Sequence, residues 1–240
     1  MPHSAELETV TEGSAFPPPG VGVVVFDVVG TLIEPSPSVA VAYRTCGVRH
    51  GVELDVAEIQ RRFSVAWSRQ EAVDAAAVPA FATSPRRELD RWRGIVEDVF
   101  AGAAASEAIF ADLWEHFGRV TSWRPLARGV ALVQAAVDSG ATVAVASNFD
   151  DRLLPLAAEM EPLVRVPHVF ASSELGWRKP APEFFRCLER RLGCLPHEAV
   201  LVGDDPELDL AAARRAGWAA IDVRRPAGPR DPDRSAGLTR

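Results

Sequence analysis

Short apolar runs, often rich in β-branched residues, alternate along the chain with segments of helical periodicity. Five such runs cover residues 21–26, 141–146, 168–171, 199–202 and 219–223. Runs of this kind are typical of strands buried on both faces of a parallel sheet. The segments between them predict helices over 128–139, 151–160, 181–192 and 206–216. Strands that alternate with helices indicate an α/β fold, a Rossmann-like doubly wound parallel sheet.

Residues 38–119 break this alternation, because they contain no run typical of a strand. Their apolar positions recur at helical spacing and predict four helices. Asp55 and Glu58 form a capping-box pattern before one of them. Ser84 with Pro85 resembles an N-cap followed by a first-turn proline, and Ser106 is the expected cap of another helix. We therefore predict a helical domain, 38–119, inserted into a core formed by 21–37 and 120–223.

The two ends of the chain, residues 1–20 and 224–240, are rich in small, polar and proline residues, and we expect disordered tails there. The first residues lack the pattern of a signal peptide, and no apolar run approaches the roughly 20 residues of a membrane span. We therefore expect no membrane partner. Three cysteines without metal-ligand spacing predict reduced thiols, which fit a cytoplasmic protein. A net charge of -7 disfavours a nucleic-acid partner.

Polar side chains follow the predicted strands where ligands of open α/β sheets bind, outside the carboxyl ends. They are Asp27 and Thr31 after the first strand, Ser147 and Asn148 after the next, Lys179 further on, and Asp204, Asp205 and Asp209 after the fourth. The tight turn at Gly30 and Thr31 would also aim the backbone carbonyl of Val29 at the same place. Clustered carboxylates repel each other unless a cation lies between them. Oxygen ligands of this kind suit Mg²⁺. The sequence therefore predicts a magnesium site at this edge.

Lys179 is the single lysine among 26 basic residues, the others being arginine. A lysine offers a compact point charge, which the planar guanidinium of arginine does not reproduce. At this edge of the sheet the ammonium group would neutralise both Asp27 and a phosphate group. Ser147, with backbone amides near Asn148, would hold the phosphoryl oxygens.

The order and spacing of these residues resemble the four motifs of the haloacid dehalogenase-like hydrolase superfamily. The motifs are Asp27-x-x-Gly30-Thr31-Leu32, Ser147-Asn148, Lys179-Pro180 and Gly203-Asp204-Asp205-x-x-x-Asp209. The helical insertion resembles the cap of the superfamily's helical-cap subgroup. The resemblance implies hydrolysis of a small phosphorylated molecule through an aspartyl-phosphate intermediate, with Mg²⁺ as the cofactor.

Carried over by position, the roles are as follows. Asp27 is the nucleophile and a metal ligand, and Lys179 stabilises charge. Substrate binding falls to Ser147, Asn148 and Thr31. The remaining metal ligands are the Val29 backbone carbonyl, Asp204, and Asp205 or Asp209, between which the sequence does not decide.

Val29 departs from the pattern of the superfamily's phosphatases, which carry a second aspartate two residues after the nucleophile. Valine neither protonates a leaving group nor activates water, and the loss of such a group costs about 10²–10⁴-fold in rate. Three interpretations stay open: a weak phosphatase, a catalytically inactive module that binds metal, anions or a partner, and a 2-haloacid dehalogenase. Neither the substrate nor the choice between monomer and homodimer can be read from the sequence.

Overall fold

The computed structural model describes residues 16–224. Its strands are β1 (Val23–Phe26), β2 (Ile33–Pro35), β3 (Trp123–Pro125), β4 (Thr142–Ser147), β5 (His168–Ala171), β6 (Ala199–Gly203) and β7 (Ala219–Asp222). Within the described range, five of them form one parallel sheet in the order β5–β4–β1–β6–β7. All five apolar runs of the sequence are strands of this sheet, which confirms the predicted α/β fold.

The helices occupy the predicted segments, except for one four-residue helix directly after β5 that the sequence did not predict. They are α1 (Val39–Arg49), α2 (Val56–Ala76), α3 (Pro85–Val99), α4 (Ser106–Phe117), α5 (Ala127–Asp138), α6 (Leu153–Glu159), α7 (Ser172–Leu175), α8 (Pro182–Leu192), and a π-helical segment, Pro206–Ala211, that continues as α9 (Ala212–Arg215). No helix between residues 16 and 224 is long and apolar enough to cross a bilayer. Cys46, Cys187 and Cys194 form no disulfide in the structure.

The sheet is buried on both faces, which explains why its strands are apolar at every position. Val24 and Phe26 of β1 face a cluster completed by α5 and α6, whereas Val25 faces a second cluster with Phe184 of α8. Successive side chains of a strand point to opposite faces, so a strand covered on both sides needs no polar position. The predicted tails, 1–20 and 224–240, lie outside the described residues except for 16–20 and 224, and Phe16 packs against the first cluster.

The four helices between residues 39 and 117 surround an apolar cluster of their own, with Tyr43, Ile59, Ile95 and Ile109 fully buried or nearly so. We refer to these helices as the helical insertion. The side chain of Asp55 accepts a hydrogen bond from the Glu58 backbone at 2.7 Å, which caps α2 as predicted. Ser84 likewise caps α3.

Two predicted caps differ in detail. Ser106 is the first residue of α4 rather than its cap, and its hydroxyl donates to the Ala103 carbonyl at 2.6 Å. A serine hydroxyl readily bonds a nearby carbonyl in this way, which removes it from capping. The carboxylate of Glu58 binds the guanidinium groups of Arg61 and Arg62 instead of returning to the backbone of the cap. Charged donors outcompete a neutral N–H for a carboxylate.

A short antiparallel pair, β2 with β3, joins the two ends of the helical insertion. Ile33 pairs with Pro125 and Pro35 with Trp123. The chain therefore leaves the core and returns to it at the same place, directly after the turn that follows β1. This arrangement sets the helical insertion above the carboxyl ends of the sheet.

Candidate active site

Three neighbouring strands of the parallel sheet, β4, β1 and β6, bring the predicted site residues together. Asp27 follows β1, Ser147 ends β4 and Asp204 follows β6. All three strands run in the same direction, so their carboxyl ends meet at one edge. Lys179 reaches the same edge from the loop between α7 and α8.

Asp27 is almost completely buried, and its Oδ1 atom accepts two hydrogen bonds. Ser147 Oγ donates to it at 2.9 Å and Lys179 Nζ at 2.6 Å. These donors fix the orientation of the carboxylate at the end of the strand. Burial raises the pKa of Asp27 to about 7, against the opposing pull of the Lys179 ammonium and with the support of the negative charge of Asp209.

Lys179 lies between two carboxylates. Its Nζ atom also contacts Asp209 Oδ1 at 2.5 Å. Burial disfavours the charged ammonium, but Asp209 and Asp27 outweigh burial, so the pKa of Lys179 lies above its ordinary value. The amine therefore stays charged, and it is a buried point charge in contact with Asp27, the carboxylate that we expected it to neutralise.

Carboxylate oxygens of Asp27, Asp204 and Asp209 all lie within 4.8 Å of one another. Burial and the neighbouring Asp209 raise the pKa of Asp204. Three carboxylates against one ammonium leave an excess of negative charge in a buried place, and a divalent cation would balance it. A Cβ atom at Gly30 would come within 2.7 Å of Asp204, so only glycine lets the chain approach so closely. This donor set fits Mg²⁺.

Asp205 and Asp209, the two alternatives left open by the sequence, occupy different places. Asp205 Oδ1 accepts hydrogen bonds from the backbone of Glu207 and Leu208, both at 2.8 Å, and so caps the following helix. Asp209 lies in the carboxylate cluster, and its Oδ2 accepts from the backbone of Asp204 and Asp205. The geometry favours Asp209 over Asp205 beside a metal.

Asn148 and Thr31 lie at the site but are engaged with other groups. The Asn148 amide donates to the Lys179 carbonyl at 2.9 Å and accepts from the Lys179 backbone N–H at 2.7 Å. It therefore ties the turn after β4 to the lysine loop. Thr31 is fully buried, with its hydroxyl 3.5 Å from Asp204 Oδ1. Val29, in contrast, is partly exposed and lines the cavity in front of Asp27.

Residues 21–217 match the family model for haloacid dehalogenase-like hydrolases. The chain belongs to this family. The match includes each of the motifs that meet at the carboxyl edge of the sheet.

The hydrolase is similar to curated proteins of related kinds. It is 30% identical to a phosphoserine phosphatase of Thermus thermophilus over 236 residues, which cover 88% of this chain and 92% of the relative. It is 26% identical to haloacid dehalogenase-like hydrolase domain-containing protein 3 of Bos taurus over 213 residues, 86% of this chain and 83% of that one. The crystal structure of a defluorinating L-2-haloacid dehalogenase shares the fold, with a TM-score of 0.68 and 22% identity over 90% of this chain and 88% of that one.

A buried ion-pair network of the hydrolase, which sequence reasoning missed, connects the helical insertion with the lysine loop. Arg178 Nη1 donates to both carboxylate oxygens of Glu88, at 2.6 and 2.8 Å. The Arg178 backbone donates to the Phe81 carbonyl. The network also includes Glu71, Asp74, Arg87 and Arg91. Lys179 is therefore preceded by a residue that α3 holds in place. The i, i+1 pair Arg178-Lys179 was visible in the sequence, but its partners were not.

A cavity of about 580 Å³ opens in front of Asp27 and extends beneath the helical insertion. Asp27, Ser147 and Lys179 form one end of it, and aromatic side chains line much of the remainder. Phe63, Trp67 and Trp92 have two roles, because each packs against the insertion's apolar cluster and also lines the cavity.

Proposed function

We propose that the hydrolase is a Mg²⁺-dependent phosphatase that acts on a small phosphorylated molecule through an aspartyl-phosphate on Asp27. The observation that carries the proposal is the meeting of Asp27 with a charged lysine and two further carboxylates at one buried point. The relative named as a phosphoserine phosphatase supports phosphate chemistry in general.

The residues of this chain have distinct parts in such a reaction. The Asp27 carboxylate attacks phosphorus, a new O–P bond forms, and the bond to the leaving group breaks with its electron pair on the departing oxygen. Lys179 holds the Asp27 carboxylate and places positive charge where the phosphoryl oxygens arrive. Ser147 and the backbone near Asn148 donate to those oxygens. Water then hydrolyses the aspartyl-phosphate and regenerates Asp27.

Asp27, Asp204 and Asp209 would hold the metal, joined by the Val29 backbone carbonyl. When bound, Mg²⁺ supplies positive charge that lets a carboxylate approach an anionic phosphoryl group. Asp205 contributes by capping the helix that carries Asp209.

Val29 makes the proposed phosphatase slow on poor leaving groups. Valine has no carboxylate that could protonate the leaving group or activate the hydrolytic water. Esters whose leaving group departs as a stable anion, such as aryl phosphates, need protonation least.

We further propose that the insertion, 38–119, acts as a cap over the core formed by 21–37 and 120–223.

Two other functions are less well supported. Dehalogenation would place a substrate carboxylate beside Asp204 and Asp209, which would repel it unless a cation were present. A module that binds metal or anions without turnover is motivated by Val29, but it gives no reason for the hydrogen bonds that orient Asp27.

Hydrolysis of p-nitrophenyl phosphate, measured with and without Mg²⁺, tests the proposal. We expect turnover that requires Mg²⁺ and disappears in Asp27→Asn, which keeps the size of the side chain but removes the nucleophile. Tight Mg²⁺ binding without any turnover would favour the binding module instead. Metal-independent halide release from a 2-haloacid would favour the dehalogenase.

A further inference from the structure

We infer that the cavity in front of Asp27 selects phosphate compounds with a flat, apolar leaving group that carries no second negative charge. The inference rests on the proposed phosphatase function and names its substrate class. It depends on two features of the cavity walls. Aromatic rings line them, and their basic side chains already form ion pairs and hydrogen bonds within the protein.

Aromatic rings line the cavity in two series of neighbouring side chains. Phe63, Trp67 and Trp92 of α2 and α3 form one series, with ring centroids 6.0 and 5.8 Å apart. Each ring remains partly exposed. Flat apolar groups bind well against such surfaces, because ring faces and edges attract each other beyond the effect of area alone.

The second series leads to the phosphoryl end of the cavity. Phe117, Trp123 and Phe149 follow one another at centroid distances of 5.8 and 5.9 Å. Phe149 comes directly after the Ser147-Asn148 turn. A leaving group attached to a phosphoryl group at Ser147 would therefore extend along aromatic side chains from its first atoms.

The basic groups of the cavity are already engaged. Among the described residues that line it, the basic ones are Arg152 and Lys179. Arg152 donates from Nε and Nη2 to Asp150 at 2.7 Å and from Nη1 to the Trp114 carbonyl at 2.8 Å. Its guanidinium also lies 3.5 Å from the centre of the Trp114 ring. Lys179 is bound by Asp27 and Asp209.

A second anionic group on the substrate would therefore enter the cavity without a cation to meet it. The polar residues of α2 that line the cavity have neutral side chains; they are Gln60, Ser64 and Ser68. Moving a carboxylate from water to such a place is costly. Phosphoserine carries a carboxylate and an ammonium group besides its phosphate and has no flat apolar group, so we expect it to fit this cavity poorly. The hydrolase is thus expected to differ in substrate from the phosphoserine phosphatase that it resembles.

The volume of the cavity and the valine at position 29 both favour a substrate with an aryl leaving group. A volume of about 580 Å³ is within the range of small-molecule sites and exceeds the needs of a phosphate alone. An aryl oxide also departs without the proton that Val29 cannot deliver. The apolar lining of the cavity and the chemistry of the leaving group thus select the same class of compound.

Binding of three non-hydrolysable probes tests the inference independently of turnover. Phenylphosphonate, 2-naphthylphosphonate and 4-carboxyphenylphosphonate are titrated by calorimetry in the presence of Mg²⁺. We expect the naphthyl compound to bind at least about tenfold more tightly than the phenyl compound, since small additions of apolar surface have effects of this order. The carboxyphenyl compound should bind at least about tenfold more weakly. Equal affinities would overturn the inference.

Two arginine variants on α2 locate the selectivity. Ser68 lines the cavity, whereas Val65 on the same helix is 62% exposed and does not line it. Ser68→Arg places a new cation in the cavity and should restore carboxyphenyl binding by about tenfold or more. Val65→Arg adds the same charge outside and should leave the order of affinities unchanged. If both variants, or neither of them, recovered binding of the carboxyphenyl compound, the selectivity could not be assigned to the cavity.

The three corresponding phosphate esters separate this inference from the proposed function. If the phosphonates bind in the expected order and none of the esters is hydrolysed, the cavity is as inferred and the phosphatase proposal fails. If all three esters are hydrolysed with equal kcat/KM, the phosphatase proposal stands and the inference fails. The carboxyphenyl ester has the more acidic leaving group, so poor turnover of it would not be explained by leaving-group chemistry.

Discussion

Lys179 Nζ lies 2.6 Å from Asp27 Oδ1, and both side chains are almost completely buried. The contact joins residues from distant parts of the chain at the carboxyl edge of the sheet. It gives the lysine a charge to neutralise and the aspartate a fixed orientation.

Replacement of Lys179 by arginine tests whether a point charge is required. The guanidinium is larger and planar, so it cannot take the place between Asp27 and Asp209. We expect Lys179→Arg to reduce kcat about 100-fold or more, in the range of losses of one charge-stabilising donor. Steady-state kinetics on p-nitrophenyl phosphate measures this effect, with circular dichroism to confirm folding. A folded arginine variant with unchanged kinetics would show that the lysine has no special function.

Glu88→Ala tests the network behind the lysine loop. The substitution leaves Arg178 charged and buried without its bidentate partner, and the loss of one member of a buried pair costs about 3–5 kcal/mol. Urea denaturation measures the change in the free energy of unfolding. The matched control is Glu107→Ala, because Glu107 is 67% exposed and pairs with Arg93 at the surface. An exposed pair contributes only about 0–1 kcal/mol. Equal losses in the two variants would contradict the importance of the buried network.

Asp204 and Asp205, adjacent in sequence, should respond differently to substitution. Asp204→Ala removes a carboxylate of the cluster, and we expect it to lose most of the affinity for Mg²⁺. Asp205→Ala removes a helix cap, so it should retain Mg²⁺ binding while stability falls by about 1 kcal/mol. Calorimetry with Mg²⁺ and thermal unfolding measure both effects. Unchanged Mg²⁺ affinity in Asp204→Ala would rule out the proposed metal site.

The sheet and the meeting of the motif residues could be predicted because both depend on local patterns. Apolar runs such as 21–26 mark strands buried on both faces, and parallel strands bring their carboxyl ends to one edge. Asp27, Ser147 and Asp204 therefore lie together as their positions indicated. Lys179 was predicted by its chemistry, since it is the one residue that departs from the arginine bias of the chain.

Features that depend on partners distant in sequence could not be predicted. Arg178 and Glu88 are 90 positions apart, and each alone resembles an ordinary surface charge. The β2–β3 pair consists of three-residue strands that both end in proline, which gives no strand signal. Asp205 and Asp209 could be distinguished only once the helix after β6 showed which carboxylate caps it and which points into the cluster.

Val29→Asp should improve turnover of poor leaving groups. Residue 29 is partly exposed and lines the cavity in front of Asp27, so the side chain of an aspartate at this position would reach a bound substrate. The new carboxylate would supply the missing general acid and base, and we expect a rise of about 10²-fold or more in alkyl-phosphate turnover. Aryl phosphates should gain less. A variant that folds, binds Mg²⁺ and hydrolyses no phosphate ester would contradict the phosphatase proposal.

The most direct test of the account is detection of a phosphoryl group on Asp27. The protein is mixed with p-nitrophenyl phosphate and Mg²⁺, quenched in acid and examined by peptide mass spectrometry. Because Val29 cannot activate water, the intermediate should accumulate, and the peptide that contains Asp27 should gain the mass of one phosphoryl group. The gain should be smaller in Val29→Asp, which breaks the intermediate down faster, and absent in Asp27→Asn. Turnover without any phosphorylated Asp27 peptide, or with the phosphoryl group on another residue, would contradict the assignment of Asp27 as the nucleophile.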